Sequence, residues 1–130
     1  MSKYVLEDLC WSFIGEPFEL IDEFEAELKE YQLDIIGEDF DEQILNELVI
    51  IEPSIRVKYW CYDGDEQIEP TVTINAINSH AFTATDLMFQ LHNAVVCKLD
   101  EIDHHFFQGL VLEKEQDENL PTLYTLQQGS

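Results

Sequence analysis

From Thr83 to Ile102 the chain carries Leu87, Met88, Phe89, Leu91, Val95, Val96, Leu99 and Ile102. At helical pitch these side chains cover an arc of about 200°. Asp86, Gln90, Asn93, Cys97, Asp100 and Glu101 fill the remainder. An apolar arc this wide needs cover on two flanks, so the spacing predicts a central helix over 83–102. Thr83 with Asp86 three residues on fits a capping box and sets its start.

The expected cover comes from both sides of this helix. On the N-terminal side, Val5, Leu6, Leu9, Cys10 and Phe13 recur at three- and four-residue spacing, which predicts a first helix ending at Gly15. Pro17 suits the first turn of a second helix with Leu20, Ile21, Phe24, Leu28 and Tyr31 inward. Gly37 ends it. A short third helix is expected after Asp39, with Asp39 as cap and Glu42 three residues on. The remaining cover is a sheet. Residues 54–62 alternate and are rich in β-branched and aromatic side chains, and Asp63-Gly64 is a hairpin signal. Val72, Ile74 and Ala76 continue the alternation, after a Pro70 that suits an edge. Phe106–Leu112 and Thr122–Leu126 read as two further strands. The expected fold is α+β, with N-terminal helices and a four-stranded, mainly antiparallel sheet packed on one long helix. At 130 residues the chain is expected to form a single globular domain, 1–130.

Charge is distributed unevenly over these elements. Between Tyr4 and Ile55 there are sixteen carboxylates and one base, Lys29, which accounts for −15 of a net charge of −22. Such an excess repels itself in a compact body. With 45% apolar and 12% aromatic residues the chain is not an acidic disordered tail. Phosphate contacts need Lys or Arg, and only six are present, which argues against direct binding of nucleic acid or of an anionic membrane. No stretch has the length and apolar purity of a membrane span. Glu7 and Asp8 interrupt the segment after Met1-Ser2-Lys3-Tyr4, unlike a secretory signal. Cys10, Cys61 and Cys97 are odd in number and widely spaced, as reduced thiols in a cytosol would be. The expected location is cytoplasmic.

Signatures of chemistry are sparse. Asp100, Glu101, Asp103, His104 and His105 hold metal-binding side chains, and on a helix Asp100 and His104 would share a face. Their spacing matches no paired-histidine motif, so imidazoles beside the negative end of a helix dipole are the plainer reading. His92 falls inside the apolar arc, where an imidazole bonded to a backbone carbonyl is expected rather than a catalytic base. Cys97 lies on the polar face without a nucleophile signature. Asp63-Gly64-Asp65-Glu66 lacks the ligand series of a calcium loop. The five glycines form no phosphate-binding loop. No cofactor is implied and no catalytic residue stands out.

What stands out is one face. On the second helix Glu19, Glu23 and Glu27 would form a row at four-residue spacing, with Asp22, Glu25 and Glu30 beside it. Glu38, Asp39, Asp41 and Glu42 extend it beyond the turn. Ordinary solvated faces mix both signs, and this one nearly excludes bases. It predicts a non-catalytic protein that binds and neutralises a basic protein. In size and charge the chain is similar to bacterial immunity proteins, which places a toxin such as a nuclease first among partners. A nucleic-acid mimic acting on a DNA-binding protein is an alternative, although a mimic needs charge along most of its length. A small metal-binding protein or enzyme using Asp100, Asp103 and His104 is the other.

Overall fold

The computed structural model describes residues 4–130. Met1, Ser2 and Lys3, which entered the reading of the N-terminus, lie outside the described residues. Among the described residues the fold is mixed α+β, with two α-helices and a six-stranded sheet. In chain order, β1 (Tyr4–Val5) and β2 (Trp11–Ser12) precede α1 (Ile21–Ile35). A 3-10 turn (Glu42–Asn46), β3 (Leu48–Ile50), β4 (Ser54–Lys58), β5 (Cys61–Asp63), β6 (Glu66–Ile68), β7 (Thr71–Asn75) and β8 (Phe82–Thr83) follow. α2 (Ala84–Leu99), β9 (Phe106–Leu112) and β10 (Thr122–Gly129) complete the chain.

The main sheet runs β1-β9-β10-β4-β7, with β2 also on β9. The pairs are antiparallel except β10 and β4, which run parallel with Thr122 opposite Ile55. Two ribbons stand apart from it, β3 with β8 and β5 with β6. The four long strands β4, β7, β9 and β10 are the four expected. The sheet exceeds four because two short strands from the N-terminus join its β9 edge.

Those short strands replace the expected first helix. Tyr4 and Val5 pair with Val111 and Leu110, and Trp11 and Ser12 pair with Phe107 and Phe106. Between them the backbone turns at Leu6, which has a φ of 57°, and Leu9 N–H donates to the Leu6 carbonyl at 3.1 Å. The turn shifts the phase between two strand-like pairs, and the composite mimics helical spacing. Backbone pairing with β9 outweighs local preference. The arch lies close above Gly109, whose φ is +108°. A Cβ there would meet Glu7 Cα at 3.1 Å and the Val5 carbonyl at 3.3 Å.

Other boundaries moved for equally local reasons. α1 starts at Ile21, not Pro17, and its N-cap Leu20 offers no side-chain bond. Asp22 and Glu23 in its first turn favour the positive end of the dipole instead. The expected third helix is the 3-10 turn, capped by Asp41, whose carboxylate accepts from Gln43 N–H at 3.0 Å. Asp39 is not the cap, because the chain first turns with Phe40 N–H on the Gly37 carbonyl at 3.1 Å. The strand expected over 54–62 breaks at Trp60. There the Gln128 amide pairs with the Trp60 backbone on both sides, at 2.9 and 3.1 Å. The Asp63-Gly64 hairpin is present, with Asp63 opposite Glu66.

α2 is the central helix. Thr83 Oγ1 caps it by accepting from Asp86 N–H at 3.1 Å. It ends at Leu99 rather than 102, where Ile102 N–H turns back onto the Leu99 carbonyl at 3.2 Å. Leu87, Met88, Leu91, Val95, Val96 and Leu99 are wholly buried. α2 packs against α1, the 3-10 turn, β5, β7 and β8. Phe24 and Leu28 of α1 join the same core, as do Phe13, Ile55, Val57 and Leu110. Each such side chain contributes about 1.5–3 kcal/mol.

Gly109→Ala should destabilise the protein by at least about 1 kcal/mol, since a positive φ and a close backbone both oppose a Cβ. Urea unfolding followed by circular dichroism measures this. A neutral result would show that the arch over Gly109 is not packed as described.

Candidate functional site

Residues Leu6–Leu20 form a strap over the seam between α1, α2 and β9. Little of it is regular, yet its buried peptide groups need partners. Four side chains supply them. Gln32, wholly buried on α1, accepts from Cys10 N–H at 2.9 Å and donates to the Cys10 carbonyl. Asn93 on α2 does the same for Phe18, at 2.9 Å on each side. One side-chain amide carries both donor and acceptor, so it can bond one residue's peptide groups as a neighbouring strand would. Asp100 Oδ1 then accepts from Gly15 N–H at 2.9 Å.

The fourth is His92, wholly buried like Gln32. Trp11 Nε1–H, which can only donate, bonds His92 Nδ1 at 3.1 Å. Nδ1 therefore carries no proton, and Nε2–H donates to the Glu16 carbonyl at 3.0 Å. The imidazole is held neutral in one tautomer among Trp11, Phe13, Phe18 and Phe24. Burial pushes its pKa below the ordinary value, and the Glu16 carbonyl opposes this only in part. Both nitrogens are committed to structure.

On the outer side of α1 lie the acids. Asp22, Glu23, Glu27 and Glu30 are exposed on the helix, and Glu25 is half-buried. Glu19 is exposed but precedes the helix, so the row of Glu19, Glu23 and Glu27 is not a single helical row. Helical spacing joins Glu23, Glu27, Glu30 and also Asp34, which the periodicity reading passed over although it continues the face. Glu38, Asp39 and Asp41 are exposed in the following loop. Glu42 Oε2 reaches Lys29 Nζ at 3.0 Å and so brings this loop back beside α1. At this exposure the pair adds about 0–1 kcal/mol. It engages the one base among residues 4–55, leaving the neighbouring carboxylates without a cation from that stretch.

Between α1 and the strap is a cleft of about 460 Å3 lined by Trp11, Ser12, Ile14, Phe18, Glu27, Glu30, Tyr31 and Asp34. A larger depression of about 760 Å3, among Tyr4, Val5, Leu6, Ile51 and Tyr124, carries Glu52 as its one charged lining residue. Glu52 there accepts from Thr122 Oγ1 at 2.6 Å.

Asp100, Asp103 and His104 are not united on a helix, because α2 stops at Leu99. Asp100 holds Gly15, and the His104 ring lies 5.0 Å from that of Trp60. His105 Nδ1 lies 2.6 Å from the Ile102 carbonyl. Among the described residues no group of three or more His, Cys, Asp or Glu side chains is placed to hold a metal ion. Cys10, Cys61 and Cys97 are free. Burial pushes the Cys61 thiol above its ordinary value, which disfavours the thiolate. Among the described residues no helix is long and apolar enough to cross a membrane. Comparison of the chain with protein-family models, with curated proteins and with solved structures finds no match.

Two tests follow from this geometry. The unfolded chain gains a proton at His92 as pH falls below about 6.5, whereas the folded chain resists it. Stability should therefore fall with pH below that value and recover above it. His92→Gln has no titrating group there, so the wild type should lose stability relative to it between pH 7 and 5 in urea unfolding. Parallel curves would remove His92 as the source. Trp11→Phe strips the donor from Nδ1 and should cost about 1–3 kcal/mol in the same assay at pH 7.5.

Proposed function

We propose that this protein is a non-catalytic binding protein whose acidic face, on α1 and the loop after it, captures and neutralises a basic protein. The observation that carries the reading is the pairing on that face. Ten of its eleven carboxylates (Glu19, Asp22, Glu23, Glu27, Glu30, Asp34, Glu38, Asp39, Asp41 and Glu42) are exposed, and the one base within residues 4–55 is bridged to Glu42. Crowded like charges carry an energetic cost, and a partner of opposite sign would relieve it. Such a face speeds encounter and makes binding sensitive to salt.

A basic toxin, such as a nuclease with a cationic groove, is the partner we place first. The cytoplasm is the compartment that three free cysteines suit. A face on one helix and one loop favours one localised partner over imitation of a long duplex.

Protein immobilised through its C-terminus should retain a basic protein from a lysate of its own cells at low salt and release it at high salt. Glu23→Lys, Glu38→Lys and Asp39→Lys together should abolish capture, since all three side chains are exposed and their loss leaves the core intact. Capture unchanged by the triple reversal would overturn the site. The free protein should also melt at a higher temperature as salt is added, because screening reduces self-repulsion. A melting temperature that salt does not move would mean that the acids are already neutralised.

A further inference from the structure

The cleft between α1 and the strap combines two surfaces that seldom meet. Its floor is apolar and aromatic, formed by Trp11, Phe18, Tyr31 and Ile14, and Ile14 keeps 51% of its surface exposed. Its wall is Glu27, Glu30 and Asp34, which share one face of α1 because they lie three and four residues apart. No base lines it.

These surfaces restrict the occupant. An uncharged apolar group would cover the rings but strip water from three carboxylates without giving them a partner. A small cation would meet the carboxylates and leave Ile14 and the half-buried Phe18 and Tyr31 uncovered, with Trp11 buried beneath them. A long aliphatic stem ending in a cation meets both needs. The stem lies on Ile14 and the ring edges, and the head reaches the carboxylates. A guanidinium adds more than an ammonium. It is planar, packs on aromatic faces, and forks its donors onto carboxylates in charge-assisted bonds.

We propose that this cleft seats an arginine side chain of a basic protein partner, and that it is the point where the acidic face gains selectivity. The assignment rests on the acidic-face reading above and adds to it the residue class that docks. The floor is tied from beneath, because the Trp11 ring bonds His92 and the Phe18 backbone bonds Asn93. The partner's arginine therefore enters a preformed seat and displaces only solvent.

Trp11 is itself the reporter. The chain has two tryptophans, so Trp60→Phe leaves Trp11 as the sole one. Titration of this variant at low salt with acetylated, amidated hexa-arginine should give a saturable change in Trp11 fluorescence. Hexa-lysine should give a weaker one. Glu27→Gln, Glu30→Gln and Asp34→Asn together should abolish the change, while calorimetry still detects the peptide on the remaining acids. All three side chains are exposed, so neutralising them leaves the core intact. Calorimetric binding without a Trp11 response in the Trp60→Phe variant would overturn the cleft and leave the acidic face standing. So would a response that survives the triple neutralisation. Equal responses to the two peptides would overturn the arginine assignment. Failure of both peptides to bind by calorimetry would overturn the acidic-face reading and the cleft with it.

Discussion

The imidazole of His92 decides how the N-terminal third of this protein is held. It sits in an aromatic shell where an unpaired polar nitrogen would be costly, and it meets that demand by taking one bond from Trp11 and giving one to Glu16. Both partners belong to the strap. The bonds therefore join a long-range segment to the centre of α2, across 81 and 76 residues of chain. Gln32 and Asn93 add the same kind of tie on either side. A segment with little secondary structure thus acquires a fixed course, because directional bonds from two helices specify its position. The aromatic packing around it supplies the adhesion.

This arrangement lets the fold carry a severe charge imbalance. The carboxylates of α1 face outward while Phe24, Leu28 and Gln32 face inward, so the two demands fall on opposite sides of one helix. Three of the five bases among the described residues are engaged within the structure. Lys29 bridges Glu42, Lys58 bridges Glu113, and Arg56 Nε donates to the Pro121 carbonyl. Lys58 and Arg56 tie the parallel β4–β10 region to its neighbours, far in sequence from the acids of α1. Arg56 and Lys58 lie on the sheet, and α1 carries Lys29 as its one base beside its acids.

The sequence made some of this visible and concealed the rest for identifiable reasons. The α+β class, the cap at Thr83, the hairpin at Asp63-Gly64 and the core place of His92 follow from local chemistry that holds in the folded state. The first helix did not form because the pattern from Val5 to Phe13 is two short strands joined by a turn at Leu6, and only β9 supplies their partners. Gln32 carried a readable signal. It lies four residues beyond Leu28 and eight beyond Phe24, a polar group on the inward face of α1. Which peptide it would bind depends on the strap, and no local pattern encodes that. Asp34 was likewise in phase with Glu27 and Glu30. The cleft it borders was not legible, since Trp11, Ile14 and Phe18 of its floor come from the strap, folded back by contacts with α2.

On the proposed reading, steering and recognition divide between two features of one surface. Exposed carboxylates act at long range, raise encounter rates and fade with salt, but they discriminate poorly among basic partners. A cleft with a pinned aromatic floor acts only at contact and reads shape as well as charge. The two meet on α1, where Glu27 and Glu30 belong both to the outer acidic face and to the cleft wall. On that proposal, a partner drawn in by the face would be delivered to the cleft without a further search. The polar ties at His92, Asn93 and Gln32 would then bear on the proposed function as well as on stability, because a strap free to move would leave the charge in place and remove the shape.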